Sequence, residues 1–299
     1  MTDRPPLLDI FVPYWGDPTL LFETVASLSA QTSDRWRAVV VDDCYPDLTV
    51  RDHFAREDHP RISYVRNATN LGTTGNYDRC RGLASAELVM FMGCDDLVEP
   101  DFVARVVADH EAFPDAAMIQ PGVRVIDESG AAAQPLADRV KRAIRPRVEQ
   151  PTQLGGEALA VSLLRGDWLY WPALVFRTAA IRDVPFHDDL PIIQDLAFVI
   201  DLIAAGETLV FDPVETFSYR RHLASASATS ILGGTRLSDE RRYYASAVAQ
   251  MRELGWHRAR RTASVRWTSR LHGLALLPSA LRRRRWTALV PLLRHAMAR

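Results

Sequence analysis

The chain has 299 residues, 47% of them hydrophobic, and 36 basic against 37 acidic side chains give a formal net charge of −1. That composition excludes a disordered chain and supplies a buried core for one large domain or two small ones. Its three cysteines, Cys44, Cys80 and Cys94, form no C-x-x-C pair, which excludes a disulfide scaffold and a structural zinc site and fits a reducing compartment.

Met1 to Pro6 mixes charges with prolines and runs straight into a strand pattern, so no export signal is expected. Leu8–Val12 reads as a short buried strand, Pro13-Tyr14-Trp15-Gly16 as a turn, and Asp17-Pro18 as the cap and first position of a helix. Leu21, Val25 and Leu28 give that helix one apolar stripe. A second strand, Trp36–Asp42, ends in the run VVVDD. Ile62–Arg66 and Leu88–Met92 are further strands, with a helix over Thr74–Ala84 between them and another starting near Pro100. Alternating strands and helices predict an α/β, doubly wound and mostly parallel sheet.

Ligands of such sheets bind beyond the carboxyl ends of the strands. The residues there are Pro13 and Tyr14, Asp42 and Asp43, Asn67 and Asn70, and Asp95 and Asp96. Two adjacent acids after a hydrophobic strand suit a hard divalent cation such as Mg²⁺ or Mn²⁺, which takes one or two carboxylates plus phosphate oxygens. An isolated acid in that place would serve as a helix cap instead.

Farther along, Gln134–Gln150 is polar and arginine-rich and is expected to form a loop over the sheet. Trp168, Tyr170 and Trp171 form an aromatic cluster; it suits a stacking platform for a ligand or the core, and for Trp168 the core is expected. A helix over Pro191–Ala205, ended by Gly206, carries Leu196, Val199, Ile200 and Ile203 as its buried stripe. Asp195 falls at the edge of that stripe, facing a cleft, and Asp201 falls nearly opposite as the solvated acid. Thr216–Tyr219 reads as a strand leading to Arg220, Arg221 and His222; the arginines suit diphosphate oxygens.

From Trp256 to Arg299 there are 11 arginines and no acid, leaving residues 1–255 with a net charge of −12. Residues 226–299 are therefore expected to form a basic helical extension. Arg282–Arg285 beside Trp286 and Leu289–Leu293 make a basic amphipathic segment suited to an anionic membrane surface. No apolar run approaches the roughly 20 residues that span a bilayer, so a cytoplasmic chain with at most peripheral membrane contact is expected. No nucleic-acid-binding module accompanies the arginines, so nucleic acid is not expected as a partner.

In order and spacing, P-Y-W-G-D-P, VVVDD, N-L-G-T-T-G-N at 70–76, the acidic pair, P-A-L-V-F-R at 172–177, Q-D at 194–195 and Y-R-R-H at 219–222 resemble the family 2 glycosyltransferases of GT-A fold. The resemblance covers about residues 7–225, taken as the GT-A domain. It implies transfer of a sugar, with inversion, from a nucleotide-diphosphate donor to a glycan, lipid-linked or small-molecule acceptor. It places Asp43 on the nucleotide base and Asp95 and Asp96 on ribose and metal. Pro13, Tyr14, Asn70, Gly72, Asn76 and Arg220 line the donor site in this reading, and His222 completes the metal or diphosphate site. Gln194-Asp195 matches the family's Glu-Asp position, making Asp195 the general base that an unactivated hydroxyl requires. Gly93 stands where an additional acid is common. A non-catalytic nucleotide-sugar binder and a sugar nucleotidyltransferase are the alternatives. The latter lacks a Gly-rich phosphate loop after the first strand, and the absence of G-x-G-x-x-G there disfavours a dehydrogenase.

Overall fold

The computed structural model describes residues 5–57, 59–190, 192–221, 235–267, 269–271 and 274. Four strands come first, β1 (Leu8–Tyr14), β2 (Trp36–Asp42), β3 (Ile62–Arg66) and β4 (Leu88–Phe91), interleaved with α1 (Pro18–Ser29), α2 (Thr49–Phe54) and α3 (Gly72–Leu83). There follow β5 (Leu97–Val98), α4 (Phe102–Ala112), β6 (Met118–Ile126), α5 (Leu136–Ile144), β7 (Thr152–Gly155) and α6 (Gly156–Arg165). A 3-10 turn at Trp171–Ala173 leads into β8 (Val175–Arg177), α7 (Thr178–Ile181), α8 (Gln194–Ala204) and β9 (Thr208–Arg220). Two further helices span Thr235–Glu253 and His257–Val265.

Among the described residues the nine strands join one sheet in the order β3-β2-β1-β4-β8-β6-β9-β5, with β7 also paired to β9. The first four strands are mutually parallel, as the sequence predicts. Beyond β4 the sheet is mixed: β8 runs antiparallel to both β4 and β6, while β6 and β9 are parallel. The short β8, three residues long, carries too little pattern to announce its direction.

Period-two alternation explains why the sheet is covered on both sides. Ile10, Val12, Leu88 and Met90 pack with Leu21, Val25 and Leu28 of α1 and Phe102, Val103 and Val106 of α4. Phe11, Val89 and Phe91 point the other way, into a core with Leu159 and Leu163 of α6 and Phe198 and Ile200 of α8. Trp168 and Trp171, 2% and 7% exposed, belong to this second core, so both tryptophans of the expected platform are core residues. Phe198 stands edge-on to Trp171 and stacks on Phe186 at a centroid distance of 5.0 Å.

Tyr243, Tyr244, Ala247 and Met251 of the helix Thr235–Glu253, with Ala259 and Ala263 of His257–Val265, lie in that same core. The expected C-terminal extension is thus, over these residues, packed onto the sheet and its helices. Asp201 serves this packing. It accepts hydrogen bonds from Gln250 at 2.7 Å and from His187 at 2.7 Å, and is half-buried instead of freely solvated.

The segment 134–150 corrects the loop expectation, because α5 occupies its middle. Its inward side is polar, and this is why apolar periodicity misses it. Asp138 accepts from the Tyr170 hydroxyl at 2.9 Å and from both arms of Arg221, and Lys141 donates to the Leu169 carbonyl. Leu136 and Val140 face outward, 69% and 43% exposed. The segment 225–234 and the tail 282–299 lie outside the described residues.

Candidate active site

With β1 flanked by β2 on one side and β4 on the other, the chain reverses its direction of travel across the sheet between β1 and β4. A crevice opens at such a reversal, beyond the carboxyl ends of the strands. The segments that leave the sheet there are Tyr14–Gly16 and Gly93–Asp96.

Tyr14 is fully enclosed. Its hydroxyl donates to the Gly16 carbonyl at 2.9 Å, burial raises its phenol above the ordinary range, and Tyr45 packs edge-on at 5.4 Å. Tyr14 is therefore a strut for the turn. Pro13, half-buried beside it, pairs with Val41. The residue the turn offers outward is Trp15, 51% exposed and edge-on to Tyr45 at 5.2 Å. Sequence reasoning placed Trp15 in the turn without a role.

Both acids at the end of β2 are buried and engaged. Asp42 accepts from the Tyr45 amide, the Tyr64 hydroxyl and Arg66. Asp43 accepts from Asn67 Nδ2 at 2.9 Å, from the Leu71 amide at 2.8 Å and from the Gly72 amide at 2.9 Å. A carboxylate with these donors caps the start of α3, where first-turn amides have no partner within the helix. Asn70 adds a side-chain acceptor for the Gly72 amide, and Gly72 takes a φ of +74°, which glycine adopts without strain. Asn76 accepts from Asn67 and donates to the Val41 carbonyl, tying α3 to β2. The N-L-G-T-T-G-N motif is thus a rigid rim around Asp43.

After β4 the chain makes a tight turn through Gly93, Cys94, Asp95 and Asp96. Asp96 is 1% exposed, and its Oδ1 accepts from the Arg220 amide at 2.8 Å while its Oδ2 is buried without a hydrogen-bond partner. Burial, with Asp95 beside it, holds its carboxyl well above the usual carboxylate range. Gly93 leaves room for the acids of this turn, since a Cβ there would stand 2.4 Å from Asp96 Oδ2 and displace that carboxylate. Asp95 is half-buried at the edge of the crevice.

Arg220 holds the turn in place. Its Nε donates to the Asp95 carbonyl at 2.7 Å, Nη1 to the Glu128 carbonyl at 3.1 Å, and Nη2 to Glu23 at 2.6 Å. With its side chain 1% exposed, it stands behind the acids and is not an open cation at the crevice. Arg221 is paired to Asp138 through two nitrogens. His222 lies outside the described residues.

Asp195 begins α8, half-buried, and burial pushes its carboxyl up to about 7, with Asp167 adding to the rise and Lys141 opposing it. Thr74 of α3 donates to Gln194 at 3.4 Å, which sets the start of α8 against the Asp43 rim. Burial also raises the Tyr77 phenol, and both Asp195 and Cys94 act on it; Cys94 in turn feels Asp95 and Asp96. α3 therefore links the Asp43 rim at its own start to the start of α8 at Gln194. Lys141 and Asp167, 3.6 Å apart, complete the surroundings of Asp195 and were not singled out from sequence.

The acid turn fits a divalent cation. A buried carboxylate oxygen of Asp96 with no hydrogen-bond donor, beside the second carboxylate of Asp95, supplies the hard oxygens that such a cation takes. Among the described residues no group of three His, Cys, Asp or Glu side chains converges, so phosphate or water oxygens would have to complete the shell.

The fold is shared with solved glycosyltransferases. S. aureus TarS 1–349 in complex with UDP-GlcNAc superposes with a TM-score of 0.68 over 97% of this chain and 81% of that one, at 15% identity. GalNAc-T7 with UDP, GalNAc and Mn²⁺ gives a TM-score of 0.57 over 83% of this chain and 51% of that one, at 12% identity. In sequence, the chain is 27% identical over 104 residues to the putative colanic acid biosynthesis glycosyl transferase WcaA of Escherichia coli (strain K12), covering 34% of this chain and 37% of that protein. The chain spans less than half the length of the first curated relatives it matches. The family model described as glycosyl transferase family 2 matches residues 9–162, just over half of the chain, and runs from β1 through the acid turn into α6. The chain belongs to glycosyl transferase family 2.

Proposed function

We propose that the chain transfers a sugar, with inversion, from a nucleotide-diphosphate donor to an acceptor hydroxyl, using Asp195 as general base and the Asp95-Asp96 turn as the seat of Mg²⁺ or Mn²⁺. Two observations support this reading: burial pushes the Asp195 carboxyl up to about 7, and Asp96 Oδ2 is a buried carboxylate oxygen without a hydrogen-bond partner. A base works best when its pKa lies near the working pH.

In this mechanism the nucleotide lies over the turn after β1 and the Asp43 rim, with Trp15 available for a flat ring. Bound at Asp95 and Asp96, a divalent cation would supply positive charge against the departing diphosphate. Asp195 takes the proton from the acceptor hydroxyl as its oxygen bonds to the anomeric carbon. The bond from that carbon to the diphosphate breaks, and its electron pair leaves with the nucleotide. One displacement at one carbon inverts its configuration. Glycans, lipid-linked sugars and small molecules all present a suitable hydroxyl.

Support for the donor class comes from the nucleotide and sugar named with the TarS and GalNAc-T7 structures. The test is a panel of UDP-, GDP- and dTDP-sugars incubated with Mn²⁺ and mixed sugar acceptors, with nucleotide diphosphate release measured. Release that disappears in Asp195→Asn while nucleotide binding persists supports an enzyme. Binding without release by the unaltered protein would instead make the chain a nucleotide-sugar binder. Peripheral attachment through residues 282–299 belongs to the same reading, and unchanged cosedimentation with anionic vesicles after their deletion would remove it.

A further inference from the structure

A cavity of about 380 Å³ lies between α5 and the sheet, lined by residues of β6, Phe211 of β9, Trp168 and Tyr170. Five cations line it, Arg139, Lys141, Arg142, Arg145 and Arg147, against one acid, Asp138. That acid is already balanced by the two-armed contact from Arg221 and the Tyr170 hydroxyl. Lys141 is shared with Asp167 at 3.6 Å, Arg142 reaches Glu215 at 3.4 Å, and Arg145 lies over the Phe211 ring at 5.6 Å. Among the described residues neither Arg139 nor Arg147 has a carboxylate partner. A concave wall with this surplus of positive charge concentrates anions.

We propose that this cavity is the acceptor subsite and that it selects acceptors carrying a phosphate or diphosphate group, bound chiefly through Arg139 and Arg147. The inference rests on the transferase reading above and names the substrate class for it. Guanidinium forks match phosphate oxygens two at a time, and a doubly charged group suits several cations better than one carboxylate does. Position agrees with the role. Lys141, in the cavity wall, pairs with Asp167 beside Asp195, and Asp138, in the same wall, pairs with Arg221, whose charge is felt by Asp96. The cavity wall is thus one ion pair removed from a residue whose charge acts on Asp195, and one from a residue whose charge acts on Asp96. The phosphate could belong to a free sugar phosphate or to a sugar on a lipid diphosphate.

The test uses the full chain with excess UDP and Mn²⁺, so that the donor crevice is occupied. Binding is titrated for N-acetylglucosamine, for N-acetylglucosamine 1-phosphate, and for the same sugar on a prenyl diphosphate in detergent micelles. The expected result is affinity at least about tenfold higher for one or both phosphorylated probes, with the stronger arm naming the source. The paired variant Arg139→Ala with Arg147→Ala removes that preference, while its nucleotide affinity and melting temperature stay unchanged. Equal affinity for neutral and phosphorylated probes, or a preference that survives the paired variant, overturns the proposal. Failure of nucleotide binding in the same titrations would count against the transferase reading instead, and the probes titrated without nucleotide still decide whether the cavity prefers phosphate.

Discussion

The backbone amide of Arg220 donates to Asp96 Oδ1 at 2.8 Å while the Nε of the same residue donates to the Asp95 carbonyl at 2.7 Å. The last residue of β9 therefore clamps both members of the acid turn that leaves β4, across 124 positions of sequence. Strand order makes this possible, because β9 also pairs with β5, the two-residue strand that follows the acids directly.

Arg220→Lys keeps the charge and loses the planar fork that reaches Asp95, Glu128 and Glu23 together. Each partly buried hydrogen bond lost costs about 0.5–1.5 kcal/mol. Urea denaturation is expected to show a stability loss of that order. Nucleotide affinity in Mn²⁺ falls in parallel, because the turn loses its support.

Gly93→Ala tests the turn from the other side. A Cβ at 2.4 Å from Asp96 Oδ2 forces the carboxylate aside. Mn²⁺-dependent nucleotide binding is expected to weaken by about tenfold or more, an effect of roughly 1.4 kcal/mol. Unaltered Mn²⁺ dependence in this variant would show that Asp96 Oδ2 does not contribute to the cation site.

Asp195 makes two pH predictions of opposite sense. As a base it must be deprotonated, so kcat/KM rises with pH to a plateau, with the midpoint of the acid limb near 7. For stability, a carboxyl whose folded value is raised contributes fully below its unfolded value near 4 and loses that contribution as pH rises through about 7. Asp195→Asn is therefore expected to raise the melting temperature at pH 8 by roughly 2–4 °C for each kcal/mol recovered, with little change at pH 4. It also lowers kcat by about 10²–10⁴-fold.

Asp43→Ala removes the acceptor for the Asn67 side chain and for the Leu71 and Gly72 amides. Loss of such a cap costs about 0.5–2 kcal/mol. Hydrogen exchange at the start of α3 is expected to accelerate, and nucleotide affinity to fall as the rim loosens. Unchanged exchange at residues 71–76 would contradict the capping role.

Much of this was legible where one physical signal dominated. The stripe Leu21, Val25, Leu28 gave α1, the run ending in Asp42 and Asp43 gave β2, and strand-end acids pointed to the crevice. α5 was hidden because its inward face carries Asp138 and Lys141 and its outward face Leu136 and Val140, the reverse of the pattern that marks a surface helix. Asp201 looked solvated on its own helix, since nothing local announces that Gln250 will cover it. Arg220 resembled a phosphate ligand for the same reason: an arginine beside a site reads alike in sequence whether it faces the crevice or stands behind it. Lys141 and Asp167 acquire meaning only through contacts made in three dimensions.

The most direct measurement is calorimetric titration of UDP, GDP and dTDP with and without Mn²⁺ into the unaltered chain, Asp96→Asn and Asp195→Asn. At least one nucleotide is expected to bind the unaltered chain and Asp195→Asn more tightly with Mn²⁺, and Asp96→Asn is expected to lose that gain. Binding that ignores Mn²⁺ in all three proteins, or a gain that persists in Asp96→Asn, would contradict a cation-assisted diphosphate site at the acid turn.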